Sequence, residues 1–124
     1  MALLAGCGGG GGTPDVPTTQ LDIVVWPSGR SGDKSEATLR CKPAGGTLAN
    51  PEEACRELER MDQPFVGPSG EVVCTEIYGG PAVAEVRGTF NNAQVDMTFA
   101  RTDGCQIAVW KRHQFLFPVQ PASP

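Results

Sequence analysis

Residues 72–81 read Val72-Val73-Cys74-Thr75-Glu76-Ile77-Tyr78-Gly79-Gly80-Pro81. The first half favours extended backbone, because β-branched side chains surround Cys74 and disfavour helix. The second half cannot continue as a strand, since Gly79 and Gly80 permit unusual backbone angles and Pro81 lacks a backbone donor. We therefore predict a short extended segment between a cysteine and a Gly-Gly-Pro corner. Such a segment either enters a protease cleft as an extended peptide or simply ends a strand, and the stretch alone favours neither.

The size and charge of the chain exclude several classes of protein. Its 124 residues leave room for one domain, whose modest core would benefit from covalent cross-links. The formal net charge of -4 and the scattered Lys and Arg residues argue against nucleic-acid binding, which needs a concentrated basic surface. No apolar run approaches the roughly 18 residues of a membrane span.

Residues 1–20 are predicted to be a processing signal and a tether. Leu4-Ala5-Gly6-Cys7 resembles the lipobox of bacterial lipoproteins, in which the bond before the cysteine is cut and the thiol receives a diacylglycerol. The glycine run and the Thr13–Pro17 segment predict a flexible tether. The charged region and most of the apolar region of such a signal are missing, so we expect the true start to lie upstream or the sequence to be truncated. The alternative is a free Cys7 in a disordered cytosolic tail.

Four cysteines remain for the body of the chain: Cys41, Cys55, Cys74 and Cys105. Four thiols allow three pairings, and the sequence does not choose among them. Sequential pairing is favoured on local grounds, because a Cys41–Cys55 bridge would close a loop of about 15 residues and contribute about 3 kcal/mol in the chain-entropy model. The functional alternative is a zinc site. No two ligands have the C-x2-4-C spacing and the single His113 lies apart from them, so we expect no metal and no other cofactor.

The rest of the body predicts an α+β fold. Runs of β-branched or alternating apolar residues predict strands at 21–26, 37–41 and 82–89, and a return strand with Val95, Met97 and Phe99 on one face. Asn91-Asn92 predicts the tight turn before that strand, because Asn tolerates the left-handed conformation. The mixed apolar run 106–117 either closes the sheet or forms a short helix. We expect an antiparallel sheet of about four or five strands with one clear helix on one face.

That helix begins with a strong local signal. Asn50 is predicted as its N-cap, Pro51 as its first residue and Glu53 as the side chain that returns a hydrogen bond to the cap. An apolar stripe follows at Ala54, Leu58 and Met61. The glutamates of this helix are most simply a solvated face and not a catalytic pair.

Together these segments resemble one family. The residues that carry the likeness are Leu39-Arg40-Cys41, Asn50-Pro51-Glu52-Glu53-Ala54-Cys55-Arg56-Glu57-Leu58, Val73-Cys74-Thr75-Glu76-Ile77-Tyr78, Gly88-x-Phe90 and Phe99-x-x-x-x-x-Cys105. In order and spacing they are similar to the Streptomyces subtilisin inhibitor family over residues 21–117, with residues 118–124 as a flexible tail. The resemblance implies the bridges Cys41–Cys55 and Cys74–Cys105, a five-stranded antiparallel sheet with two helices, and homodimers.

The resemblance further implies a serine protease inhibitor without catalytic activity of its own. In the family, the residue two after the third cysteine is P1, the side chain that enters the specificity pocket of the protease. Here that residue is Glu76, so the reactive bond is Glu76–Ile77. The implied protease-binding loop consists of Val73, Cys74, Thr75, Glu76, Ile77 and Tyr78. Asp103 stands where family members often place an Asn that braces the loop. The catalytic nucleophile would belong to the protease and not to this chain.

The glutamate at P1 departs from the family, which more often carries Met or Lys there. Burying a carboxylate in an apolar pocket is costly. The expected partner is therefore an extracellular Glu-preferring serine protease, or a subtilisin-like protease whose open pocket leaves the carboxylate hydrated. We expect the protein to be secreted, or anchored by a lipid on Cys7 to the outer face of the cell membrane, where disulfides form.

Two other functions are alternatives to protease inhibition. The first is a surface lipoprotein that uses the same scaffold as a non-inhibitory protein-binding module. An exposed loop at 73–78 would favour inhibition, and a loop folded against the sheet would favour the scaffold. The second is an enzyme, which is disfavoured because His113 and bridged cysteines do not make a nucleophile with its base.

Overall fold

A computed structural model describes residues 17–68 and 73–121 of the chain. The lipobox with Cys7, most of the predicted tether, Val72 of the central stretch and the end of the predicted tail lie outside these described residues. No helix in the described part of the chain is long and apolar enough to cross a membrane.

The described residues form four strands, two α-helices and one short 3-10 helix. The elements are β1 (Thr19–Trp26), β2 (Ser35–Cys41), α1 (Pro51–Arg60), β3 (Val83–Phe90), β4 (Ala93–Phe99), α2 (Gly104–His113) and the 3-10 helix Gln114–Leu116. All strand pairs are antiparallel, and the order across the sheet is β2-β1-β3-β4. The α+β prediction is confirmed, with four strands in place of about five among the residues that can be described. Residues 73–80 are in no strand.

One face of the sheet carries the core. Leu21, Ile23 and Val25 of β1 are buried and alternate with more exposed residues, as the two-residue period of a strand requires. The register continues this apolar face across the sheet, because Leu21 pairs with Leu39 on β2 and Ile23 pairs with Val86 on β3. Side chains of α1 and α2 join the buried cluster.

The start of α1 confirms one part of its prediction and contradicts another. Asn50 is the N-cap and Pro51 is the first helical residue, as predicted. The Asn50 side chain makes no capping hydrogen bond, and Glu53 pairs instead with Arg56 at 2.7 Å. The expected capping box is therefore wrong. The capping hydrogen bonds are missing because Asn50, at ψ 74°, lacks the usual backbone geometry of a capping residue. The Glu53 side chain pairs with the cationic Arg56 one turn further along the helix.

The turn between β3 and β4 confirms the sequence prediction. Asn91 and Asn92 have φ values of 50° and 68°, the left-handed conformation of a two-residue hairpin. The segment 106–117 forms α2 and the 3-10 helix and does not close the sheet. Helix α2 buries Val109, Trp110 and His113, so this run belongs to the core layer beneath the sheet.

Candidate functional site

The loop at residues 73–80 presents its side chains to solvent. Val73 is 94% exposed, Ile77 is 60% exposed and Tyr78 is 66% exposed, and Thr75 and Glu76 are exposed as well. Adjacent large apolar side chains that face water contribute little to folding and often mark an interaction site. The loop is therefore not folded back against the sheet.

The loop is tied covalently to the start of α2. Cys74 is bonded to Cys105, with 5.2 Å between their Cα atoms. The second bridge joins Cys41 at the end of β2 to Cys55 in α1, with a Cα separation of 5.8 Å. These are the two pairings that the resemblance implied. The first bridge fixes the loop, and the second fixes α1 to the sheet.

Backbone hydrogen bonds hold the loop on both sides of the Glu76–Ile77 bond. Before it, the Gly104 N–H donates to the Thr75 carbonyl at 2.9 Å. After it, the Gly79 N–H donates to the Arg101 carbonyl at 2.7 Å, and the Arg101 side-chain Nε–H donates to the Gly79 carbonyl at 3.1 Å. The loop therefore has anchors on each side of its exposed centre.

Two glycines permit this close approach. A Cβ on Gly104 would collide with Oγ1 of Thr75, and a Cβ on Gly79 would lie 2.9 Å from Cδ1 of Ile107. At each of these contacts a glycine of one element faces a side chain of the other. The Gly-Gly-Pro corner, read in the sequence as a break in the strand, is also a contact surface for α2.

Asp103 lies beside the disulfide and caps α2. Its carboxylate accepts a hydrogen bond from the Gln106 N–H at 2.9 Å, as an N-cap residue does. A carboxylate oxygen of Asp103 and the sulfurs of Cys74 and Cys105 lie within 4.8 Å of one another. Both sulfurs are in a disulfide and are not thiolates, so this cluster is not a metal site. Asp103 stabilises the helix start that carries Gly104; its role in supporting the loop stays a prediction.

The Glu76 carboxylate faces solvent. Its side chain is exposed, and no ion pair among the described residues involves it. A partner that binds this carboxylate must supply its own hydrogen-bond donors or leave it hydrated.

The profile of the subtilisin inhibitor-like family matches residues 18–102. The chain belongs to this family. No curated protein matches the chain. The matched residues run from β1 to the end of β4 and include the loop and three of the four bridged cysteines. Cys105 and α2 follow the matched region, and it is the structure that places them beneath the loop.

Membership in the subtilisin inhibitor-like family indicates protease inhibition as the general function and a protease as the general kind of partner. The family consists of inhibitors and not of catalysts. Membership in it and the two disulfides of this chain are both consistent with an extracellular location.

The sequence interpretation missed Arg101. Its main-chain carbonyl accepts from the Gly79 N–H, its Nε–H donates to the Gly79 carbonyl, and its guanidinium carbon lies 5.5 Å from the centre of the Trp110 ring. The two bonded residues are 22 positions apart, and no local pattern marks such a pair. The Gly-Gly corner was the one available signal, because a glycine at the end of an extended segment can indicate a close backbone approach.

The role of His113 was also missed. The Phe65 N–H donates to its Nε2 at 2.9 Å, and its Nδ1–H donates to the Val109 carbonyl at 2.8 Å, which fixes the neutral tautomer. Burial lowers the pKa of His113, and the charge of Arg112 lowers it further, against the opposing effect of the Val109 hydrogen bond. His113 thus holds the segment that leads from α1 towards the loop.

Proposed function

We propose that this protein inhibits an extracellular serine endopeptidase by presenting residues 73–78 as a substrate-like loop. Glu76 would occupy P1 and Ile77 would occupy P1′, so that Glu76–Ile77 is the reactive bond. The observation that carries the proposal is the set of anchors at Cys74, Thr75 and Gly79, which lie on both sides of an exposed bond.

Anchored backbone explains how such a loop binds tightly. An inhibitor of this kind is a substrate whose bound conformation already exists, so that little ordering entropy is lost on binding. Val73, Ile77 and Tyr78 add exposed apolar surface that the protease would bury. No residue of the loop performs chemistry, because the nucleophile and its base belong to the protease.

The acidic P1 residue favours a particular class of target. A pocket that buries the Glu76 carboxylate must provide charged or polar donors, whereas an apolar pocket would leave the charge uncompensated. We therefore favour a Glu-preferring serine protease, with a subtilisin-like enzyme of open pocket as the second choice.

The direct experiment measures inhibition constants of the oxidised 124-residue chain against a Glu-specific serine protease and subtilisin. Glu76→Met, Glu76→Lys and Glu76→Gln change the P1 side chain, and Glu52→Met changes an exposed glutamate in the first turn of α1 as a matched control. We expect nanomolar inhibition by the wild type. A P1 residue behaves as a hot spot worth roughly 2–4 kcal/mol, so the residue-76 variants should change the preference between the two proteases by about thirtyfold to a thousandfold.

Two results would contradict the proposal. Rapid and complete cleavage after Glu76 would mean that the loop is an ordinary substrate. No binding by any variant with intact disulfides, across a wider panel of proteases, would favour the alternative of a surface lipoprotein that uses the scaffold as a non-inhibitory binding module. The Glu52 control should behave as the wild type in every assay.

Location and assembly are part of the same proposal. We propose a lipid on Cys7 that anchors the protein outside the cell, which mass spectrometry of the membrane fraction would detect as a diacylglycerol adduct. We also propose a homodimer. Light scattering coupled to size exclusion would give the mass of the assembly against the 13.0 kDa of one chain.

A further inference from the structure

The two sides of the Glu76–Ile77 bond are held to the body by different kinds of interaction. On the Glu76 side, Cys74 is part of a disulfide. On the Ile77 side, the nearest described anchor is noncovalent and lies at Gly79, whose N–H and C=O both bond to Arg101. A cut at this bond would leave the Glu76 side held by a covalent bridge two residues away, whereas the Ile77 side would be held noncovalently at Gly79 before the chain enters β3 at Val83.

We propose that Arg101 is a positioning residue that keeps the cut end of the loop in place, so that the bond is remade faster than it is hydrolysed; this inference rests on the proposed function. When the protease serine Oγ attacks the Glu76 carbonyl carbon, the C–N bond breaks and an ester forms. The serine proton passes through the base of the protease to the Ile77 amine. An amine that stays nearby attacks the ester carbonyl carbon and the ester C–O bond breaks. The amine proton returns through the base of the protease to the serine oxygen, and the peptide bond is restored. If the amine moves away, water attacks and Glu76 ends as a free carboxylic acid at the cut end.

Arg101 is itself held by the core. Its guanidinium lies over the face of Trp110, and a cation is attracted to the face of an aromatic ring. Trp110 is fully buried and packs against Phe117, with 4.8 Å between the ring centres. No ion pair in the described part of the chain draws the guanidinium away from Gly79. The core therefore fixes the position of the Arg101 side chain that donates the hydrogen bond to the Gly79 carbonyl.

The Arg101 side chain should matter most after cleavage. In the intact chain, Gly79 is also held through the covalent backbone that leads back to Cys74. Cleavage removes that connection, so the cut end is then held at Gly79 by its two hydrogen bonds to Arg101, ahead of the start of β3 at Val83. One of these bonds is accepted by the Arg101 main-chain carbonyl, and the other is donated by its side chain. Effective concentration of a tethered group falls steeply when its tether loosens. Removing the side chain should thus accelerate hydrolysis more than it weakens initial binding.

The experiment compares Arg101→Gln and Arg101→Lys with the wild type in the full chain. Arg56→Gln is the control, because Arg56 is an exposed arginine of α1 that pairs with Glu53. Each protein is incubated with the protease that the wild type inhibits, and mass spectrometry follows the gain of one water at Glu76–Ile77. The inhibition constant is measured in parallel, and amide hydrogen exchange of the Gly79 N–H is measured without protease.

We expect hydrolysis of Arg101→Gln to be about ten- to a hundredfold faster, the factor for losing one hydrogen bond from a charged donor, with a much smaller change in the inhibition constant. Gly79 exchange should quicken in the same variant, and Arg101→Lys should lie between it and the wild type. The Arg56 control should match the wild type.

The outcomes separate this inference from the function on which it rests. Absence of inhibition by the wild type overturns both. Inhibition by the wild type with unchanged hydrolysis in the Arg101 variants overturns the role of Arg101 and leaves the proposed function standing. A parallel rise of the inhibition constant and the hydrolysis rate means general loosening of the fold, and it also overturns the role.

Discussion

Protonation of His113 should destabilise the protein at mildly acidic pH. The folded state lowers the pKa of this imidazole from its ordinary value of 6.5, chiefly because the ring is buried. The unfolded chain therefore takes up the proton more readily than the folded chain, and acid favours unfolding. The contribution is fully present above pH 6.5 and is lost as the pH falls from 6.5 towards the lowered pKa of the folded state.

The structure gives the size of the effect. The neutral ring accepts a hydrogen bond from the Phe65 N–H, and an imidazolium has no lone pair with which to accept it. A buried donor left without its partner costs about 1–3 kcal/mol. His113 itself is 0% exposed, so water cannot replace the lost bond without local opening. We expect the free energy of unfolding to fall by this amount, with a slope of at most about 1.4 kcal/mol per pH unit.

Urea denaturation at several values between pH 8 and pH 5, followed by tryptophan fluorescence, measures the change. The chain contains one histidine, so NMR can titrate the same imidazole without an assignment problem. His113→Gln keeps a donor and an acceptor but does not titrate, and it should be less stable than the wild type at pH 8 and lose less on acidification. An imidazole that titrates at its ordinary pKa in the folded protein would refute the reasoning, as would equal pH dependence of the two proteins.

Three further predictions concern the scaffold. Leu58→Ala should lower the free energy of unfolding by about 2–5 kcal/mol in urea denaturation, because Leu58 is a core residue with 1% exposure. Replacing Cys41 and Cys55 together by Ser should cost about 3 kcal/mol by the same measurement, whereas inhibition at low temperature should persist because the loop disulfide is intact. Gly46→Ala should lower the melting temperature, since Gly46 has φ 107° and a Cβ there would collide with a β2 carbonyl, while Gly67→Ala has open space and should not.

The elements that the sequence predicted well are those with local causes. Alternation of apolar residues predicted β1, and the left-handed preference of Asn91 and Asn92 predicted the hairpin. The position of Pro51 marked the start of α1. In each case the residues that cause the structure are neighbours in the chain, so the pattern can be read directly.

The features that were missed depend on contacts between distant residues. Glu53 pairs with Arg56 and does not make the expected hydrogen bond to the Asn50 cap. The capping motif considers only the residues at the helix start and so does not include this competing cation. His113 contacts Phe65 across 48 positions, and burial changes an ordinary histidine into a neutral structural one.

The candidate site shows both situations together. The cysteine and the Gly-Gly-Pro corner, which are local signals, predicted the ends of an extended segment, and the family resemblance implied its role. The hydrogen bonds that anchor it come from Arg101 and Gly104, which become neighbours of the loop only when α2 packs beneath it. The role of Glu76 as P1 is still a prediction, because exposure alone does not show what a side chain binds.

The outward direction of the loop side chains separates recognition from folding. Val73, Glu76, Ile77 and Tyr78 are all exposed, whereas the loop's anchors are a disulfide and backbone groups that do not depend on these four side chains. Substitutions at these positions can change the surface that is offered to a partner while the core stays intact. Evolution can therefore alter the target of such a protein without redesigning its fold, and an engineer can transfer other recognition sequences to the same frame.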